Sequence, residues 1–274
     1  MTRIIPAALL FVCAMAVPAA RAQDDVAALV QALEMPAILD VMHEEGLGYG
    51  EELAAEMFGD AGNAEWQGDV EAIYETGRLG EMFETQFTKE LEGADLGPMI
   101  DFFTSDLGRR VTTLEVSARR AMLNQEVDDA ARLALEEALA ADDPRIDLVK
   151  DFIDAGDLIE ANVAGGLNAN LAFYRGLVEG GALPYGLSEE EILADVWGQE
   201  GAIREDTEDW LLSYLFLAYQ PLADEDLKAY TEFSRTEAGV VLNRALFGAF
   251  DAMFSDVSFR LGKAAARQMS GQEL

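Results

Sequence analysis

Cysteine, histidine and positive charge are scarce in this chain, and no stretch alternates apolar and polar residues long enough to read as a strand. Its 274 residues hold one cysteine, Cys13, and one histidine, His43. A single thiol forms no intrachain disulfide, and a single imidazole cannot build a multi-histidine zinc site. A Ser-His-acid triad would have to pass through His43, and no Gly-x-Ser-x-Gly elbow offers a nucleophile. Lys and Arg number 19 against 52 Asp and Glu, a formal net charge of −33. Such a surface repels nucleic acid and anionic membranes, so neither is expected as a partner. The acids are spread along the chain and read as a solvated exterior. No apolar run reaches the roughly 18 residues that cross a bilayer.

The N-terminus does carry an address. Arg3 is followed by an apolar stretch from Ile4 to Val17, then by Ala20-Arg21-Ala22, a small-x-small cleavage site before Gln23. Residues 1–22 are therefore expected to be a signal peptide cleaved near Ala22, placing the protein in the periplasm or outside the cell with no transmembrane span. Cleavage removes Cys13, Arg3 and Arg21. It leaves 17 basic residues against 52 acidic ones, a charge of about −35. Without disulfides, stability has to come from a packed core, which a chain of this length can build.

Ala, Leu, Glu and Met dominate, and apolar residues recur at helical spacing, as in Ile100, Phe103, Leu107, Val111 and Leu114. The expected fold is all-α, a helical bundle. Start signals agree. Asp95 precedes Pro98, Asp143 precedes Pro144, Ser188 and Glu191 have capping-box spacing, and Asp224 precedes an acidic first turn. At an offset of 131, Trp66 matches Trp197, Leu91 matches Leu222, Leu96 matches Leu227 and Met122 matches Met253. There are 11 identities over the 69 pairs from Trp66 to Ala134, where composition gives roughly five. Upstream the offset reads as 119, pairing Leu29-Val30 with Leu148-Val149, with the extra residues placed near Gly181 to Gly186. The chain divides into a first helical unit, 23–143, and a second, 144–274.

The most similar stretches are Phe102-Phe103-Thr104-Ser105-Asp106-Leu107-Gly108 and Phe233-Ser234-Arg235-Thr236-Glu237-Ala238-Gly239. Each reads as a corner between helices. An aromatic wedge ends one helix, Ser105 or Thr236 caps the next, and an acid favours its positive end. Gly108 or Gly239 then admits a close backbone contact. A Phe-aromatic-x-Ser-x-x-Gly corner late in an exported helical protein resembles the family called domain of unknown function 2059. The resemblance covers roughly 85–135 and 215–265. That family often has Pro after the Ser, where this chain has Asp106 and Glu237. The resemblance implies an all-helical, secreted or periplasmic protein, in two tandem copies here, and brings no catalytic residues with it. Phe102, Ser105, Gly108, Phe233, Thr236, Gly239, Trp66 and Trp197 are the expected structural and interaction residues.

Other constellations carry little chemistry. His43-Glu44-Glu45 lacks the second His of a metalloprotease helix, and Gly46-Leu47-Gly48-Tyr49-Gly50 follows no strand and has no adjacent Lys. Asp60 to Glu65 lacks calcium-loop spacing. Arg109, Arg110, Arg119 and Arg120 form a basic concentration, with Glu115 and Arg119 at an ion-pairing spacing of four. Apolar helical segments, Leu211 to Tyr219 and the Phe- and Met-rich stretch after Val240, suit a core, a dimer face or a groove. The expected function is a non-catalytic binding or interaction module, without cofactor or metal. Its partner would be a protein or an amphipathic or lipid ligand held in an apolar groove. The alternatives are an envelope component that forms a homodimer, and a hydrolase or lyase using paired carboxylates.

Overall fold

The computed structural model describes residues 16–59, 62–182 and 188–272, with side chains from 23 to 270. Helices occur in two runs of the same order. The first run is α1 Ala16–Ala32, α2 Met35–Phe58, α3 Ala64–Ile73, α4 Thr76–Glu90, α5 Gly97–Phe103 and α6 Asp106–Ala121, followed by α7 Gln125–Ala140. The second is α8 Pro144–Ala155, α9 Leu158–Glu179, α10 Glu189–Gly198, α11 Glu200–Tyr219, α12 Asp224–Arg235 and α13 Glu237–Gln272. Among the described residues there is no strand, and the protein is an all-α helical bundle. The expected signal peptide, 1–22, lies largely outside the described residues. So does most of the loop expected to hold the extra residues of the second copy, since 183–187 are not described.

Local chemistry sets the helix ends. The Asp143 carboxylate accepts from the Arg145 amide at 2.9 Å, with Pro144 at the first helical position. Ser188 and Glu191 close a reciprocal capping box. The start of α12 falls one residue earlier than expected: Ala223 is the cap and Asp224 already lies in the first turn, where its charge meets the helix dipole. Glu34 and Asp157 both adopt left-handed backbone, at φ 52° and φ 50°, and each joins the first helix of its run to the second. These two turns are 123 positions apart, so the upstream offset is 123 and not 119. The expected pairing was displaced by one helical turn, which preserves the buried face and so hides the slip.

Packing locks the two units together. In the second, α9 runs beside α13 in the same direction: Asn243 reaches the Gly156 carbonyl near one end, and Lys263 pairs with Glu179 at 2.7 Å near the other. Gly176 and Gly262 face each other at the crossing. A Cβ on Gly176 would collide with the Phe259 carbonyl, and one on Gly262 with the Phe173 carbonyl. The fourth helix of each unit then lies antiparallel on the other unit. Helix α4 packs on α13 through Phe83 and Phe250, ring centroids 5.1 Å apart, while α11 packs on α6 through Tyr214, Tyr219 and Glu115. One continuous core therefore runs from Val26 to Ala266 and includes Leu211, Leu215 and Phe216 of the apolar α11 segment. The helix order of 23–143 recurs in 144–274, and buried residues of both stretches belong to one cluster.

The two tryptophans matched by sequence are not structural equivalents. Trp66 is the third residue of α3 and only 2% exposed, and its Nε1 donates to the Gly50 carbonyl at 3.0 Å. Trp197 is near the end of α10 and 62% exposed. Indole is easy to match in an alignment, yet its burial depends on which helices pack over it. Helix α13 covers α3. Its counterpart in the first unit is broken at Met122 to Asn124, and the section after the break, α7, packs on α11.

Candidate functional site

The corners form as their residues dictate. Ser105 Oγ accepts from the Gly108 amide at 3.0 Å and donates to the Phe102 carbonyl at 2.6 Å. Thr236 Oγ1 repeats this with Gly239 at 3.1 Å and Phe233 at 2.7 Å. A Cβ on either glycine would collide with the carbonyl of Phe102 or Phe233, so the contacting backbone is the last turn of the preceding helix. The corners also meet each other. Phe102 and Phe233 stack with centroids 3.9 Å apart and planes 11° from parallel, flanked by Phe103 and Tyr230. Six of the eight expected residues thus come together at the junction of the two units. Trp66 and Trp197 do not join them.

Beside this junction lies an ionisable cluster that the sequence did not flag. Glu115 on α6 accepts a 2.6 Å hydrogen bond from the Tyr219 hydroxyl, and the Tyr230 hydroxyl also bonds to it. Tyr214 donates to the Glu115 backbone carbonyl at 3.0 Å. Burial pushes the Glu115 carboxyl up to about 7, against the two tyrosine hydrogen bonds, which favour the charged form. The same burial, with the Glu115 charge adding to it, raises Tyr219 and Tyr230 well above the ordinary phenol range. At the repeat offset of 131, Glu115 corresponds to Leu246. A charged residue whose repeat mate is apolar was the available signal.

The expected Glu115–Arg119 ion pair does not form. Arg119 instead holds Glu45 of α2 with a two-pronged contact of 2.9 and 2.8 Å, while its guanidinium lies 5.9 Å from the Trp210 ring centre. Glu115 points the other way, into the aromatic layer. Arg120 pairs with Glu44, Arg109 with Asp106, and Arg110 with Asp226 of the second unit at 3.7 Å. The basic concentration is a set of internal ties. His43 is a tie too: it is half-buried, with Nδ1 2.9 Å from the Tyr74 carbonyl at the end of α3. Gly46 and Gly50 seat the Tyr74 ring and Val70, so the glycine-rich run packs α2 on α3. No group of three or more His, Cys, Asp or Glu suited to a metal comes together among the described residues.

A concave site lies between the parallel helices α9 and α13. It encloses about 510 Å³. Ala161, Ala164 and Gly165 form one wall, and Val240, Phe247 and Gly248 form the other, just beyond the second corner. Glu90, Asp157 and Asp251 line it against a single cation, Arg244. Asn168 donates to Asp251 at 2.9 Å and fixes that carboxylate at the edge. The remaining Phe- and Met-rich positions of α13 are committed elsewhere: Met253 and Val257 are fully buried, and Phe250 packs on Phe83. The first part of that stretch faces this cavity. No single helix among the described residues is long and apolar enough to cross a membrane; α1 and α2 are so only together, and they meet at a 60° bend.

Compared with family models, with curated proteins and with solved structures, the chain finds no match.

Proposed function

We propose that the protein is an exported, non-catalytic binding module, and that its ligand occupies the cleft between α9 and α13. The observation that carries this reading is the make-up of that cleft, apolar walls from small residues and Phe247 under a rim with a surplus of two carboxylates. Such a site suits an amphipathic molecule with an apolar body and a cationic head. The export signal and the corner resemblance to the domain of unknown function 2059 family agree with an envelope role. The distribution of acids supports binding over hydrolysis. Glu115 faces tyrosine hydroxyls and not a second carboxylate, and it lines neither the α9/α13 cleft nor the cleft between α3, α4 and α13.

Titration calorimetry with dodecylammonium and with dodecanoate tests the proposal. The ammonium amphiphile is expected to bind and the carboxylate not. Gly165→Leu, placed where a side chain has room, should fill the cleft and weaken binding about tenfold or more without lowering the melting temperature. Equal binding of both amphiphiles, or of wild type and variant, would refute the site.

A further inference from the structure

A second cleft, of about 420 Å³, lies where α3 and the start of α4 meet α13, and its charge is opposite to that of the molecule. Arg78, Arg260, Lys263 and Arg267 all line it. The last three lie on α13. In the structure their spacing of three and four puts them on one face of α13, and Arg78 joins them from 178 positions before its partner Asp256. We propose that this cleft is a binding site for a small phosphate monoester, held by these four side chains.

Four features support the assignment. First, the cations outnumber their local acids. Asp256 serves both Arg78 and Arg260, Asp69 pairs with Arg267 at 2.6 Å, and Glu179 pairs with Lys263 at 2.7 Å. Four cations share three carboxylates, in a chain whose net charge is −33. Second, Arg78 is held in place before any ligand arrives, because it also donates to the Ile73 carbonyl at 2.7 Å. Burial lowers its pKa and the Arg260 charge lowers it further, so these guanidiniums repel and an anion between them relieves both. Third, the donors approach from two helices. A monocarboxylate has two oxygens and satisfies one guanidinium fork, whereas a phosphate presents three to several donors at once. Fourth, the cleft exceeds a bare phosphate ion and has an apolar wall of Ala72, Ile73 and Phe259, with Lys263 5.6 Å from the Phe259 ring centre. That wall suits the organic part of an ester.

Calorimetry of the full chain with phenyl phosphate is the test, with inorganic phosphate, benzoate and phenyltrimethylammonium as comparison probes. Phenyl phosphate should bind tightest, and any heat from the ammonium compound should be unchanged in the variants of this cleft. The double variant Arg260→Gln, Lys263→Gln should weaken phenyl phosphate about tenfold or more. Glu179→Gln, which releases Lys263 from an exposed ion pair, should tighten it, and this gain keeps the test informative if the double variant folds poorly. The proposal is overturned if phenyl phosphate gives no saturable heat. It is overturned equally if benzoate or inorganic phosphate binds as tightly, or if Glu179→Gln leaves a well-folded protein with unchanged affinity.

Discussion

Glu115→Gln should make the protein more stable at neutral pH and remove a defined part of its pH dependence. The carboxyl titrates near 7 in the folded protein, against an ordinary value of 4.5. Below about pH 4.5 both folded and unfolded chains carry the proton, and the residue costs nothing. Between 4.5 and 7 the folded protein keeps a proton that the unfolded chain has lost. Stability therefore falls as pH rises, by about 1.4 kcal/mol per unit, and the loss is complete above the folded pKa. The whole shift corresponds to about 3 kcal/mol. Glutamine has no charge to desolvate, and its oxygen can still accept from Tyr219, now as a neutral hydrogen bond weaker by about 1 kcal/mol. The net gain at pH 8 is then about 2 kcal/mol. Urea titrations of both proteins between pH 4 and 8, followed by the loss of helical circular dichroism, give the difference. Subtracting the two curves removes the effect of the many other acids, whose repulsion also grows with pH. The reasoning fails if the two curves run parallel across this range, or if the wild type gains on the variant as pH rises.

Gly108→Ala and Gly239→Ala should each cost about 2–3 kcal/mol in urea denaturation, because the new Cβ meets a carbonyl oxygen of the preceding helix and not a movable side chain. A cost under about 0.5 kcal/mol would show that the corner can open without loss. Phe102→Ala and Phe233→Ala should each cost about 3 kcal/mol, and the double variant less than their sum by about 1 kcal/mol, since the rings stack on each other. Simple additivity in that cycle would remove the corner-to-corner contact as a source of stability.

Legibility in the sequence follows the range of the interaction. The corners were readable because all their determinants lie within seven residues: the Phe carbonyl, the hydroxyl cap and the glycine are neighbours in the chain and in space. The Ser188 capping box and the Asp143-Pro144 start were readable for the same reason, whereas α5 starts from Leu96 and not from an Asp95 cap. The partner of Arg119 was not. Spacing on α6 favoured Glu115, but Glu45 of α2 offers both carboxylate oxygens, and only the packing of α2 on α6 brings it there. Three cations of the phosphate-suited cleft, Arg260, Lys263 and Arg267, are close in sequence on α13. The fourth, Arg78, belongs to a helix far away in sequence. Repeat alignment misled where helix lengths differ, as with Trp66 and Trp197. It succeeded for Leu91 with Leu222 and Leu96 with Leu227, all buried next to the corners.

Composition and periodicity by themselves determined that the chain is helical, that helices begin and end largely where their caps stand, and that one unit of helix order is used twice. These are properties of neighbouring residues, fixed by hydrogen bonds and side-chain periods that span a turn or two. The tertiary structure alone decided that the two units share one core. It did so because α4 packs on α13 and α11 packs on α6, each across to the other unit, a choice that local pattern cannot express. The same crossing seals Glu115 beneath tyrosines while its repeat mate Leu246 stays beside an apolar layer, and it assembles a cationic cleft on an acidic molecule. Burial and charge surroundings are sums over distant residues, and they exist only once the helices have met.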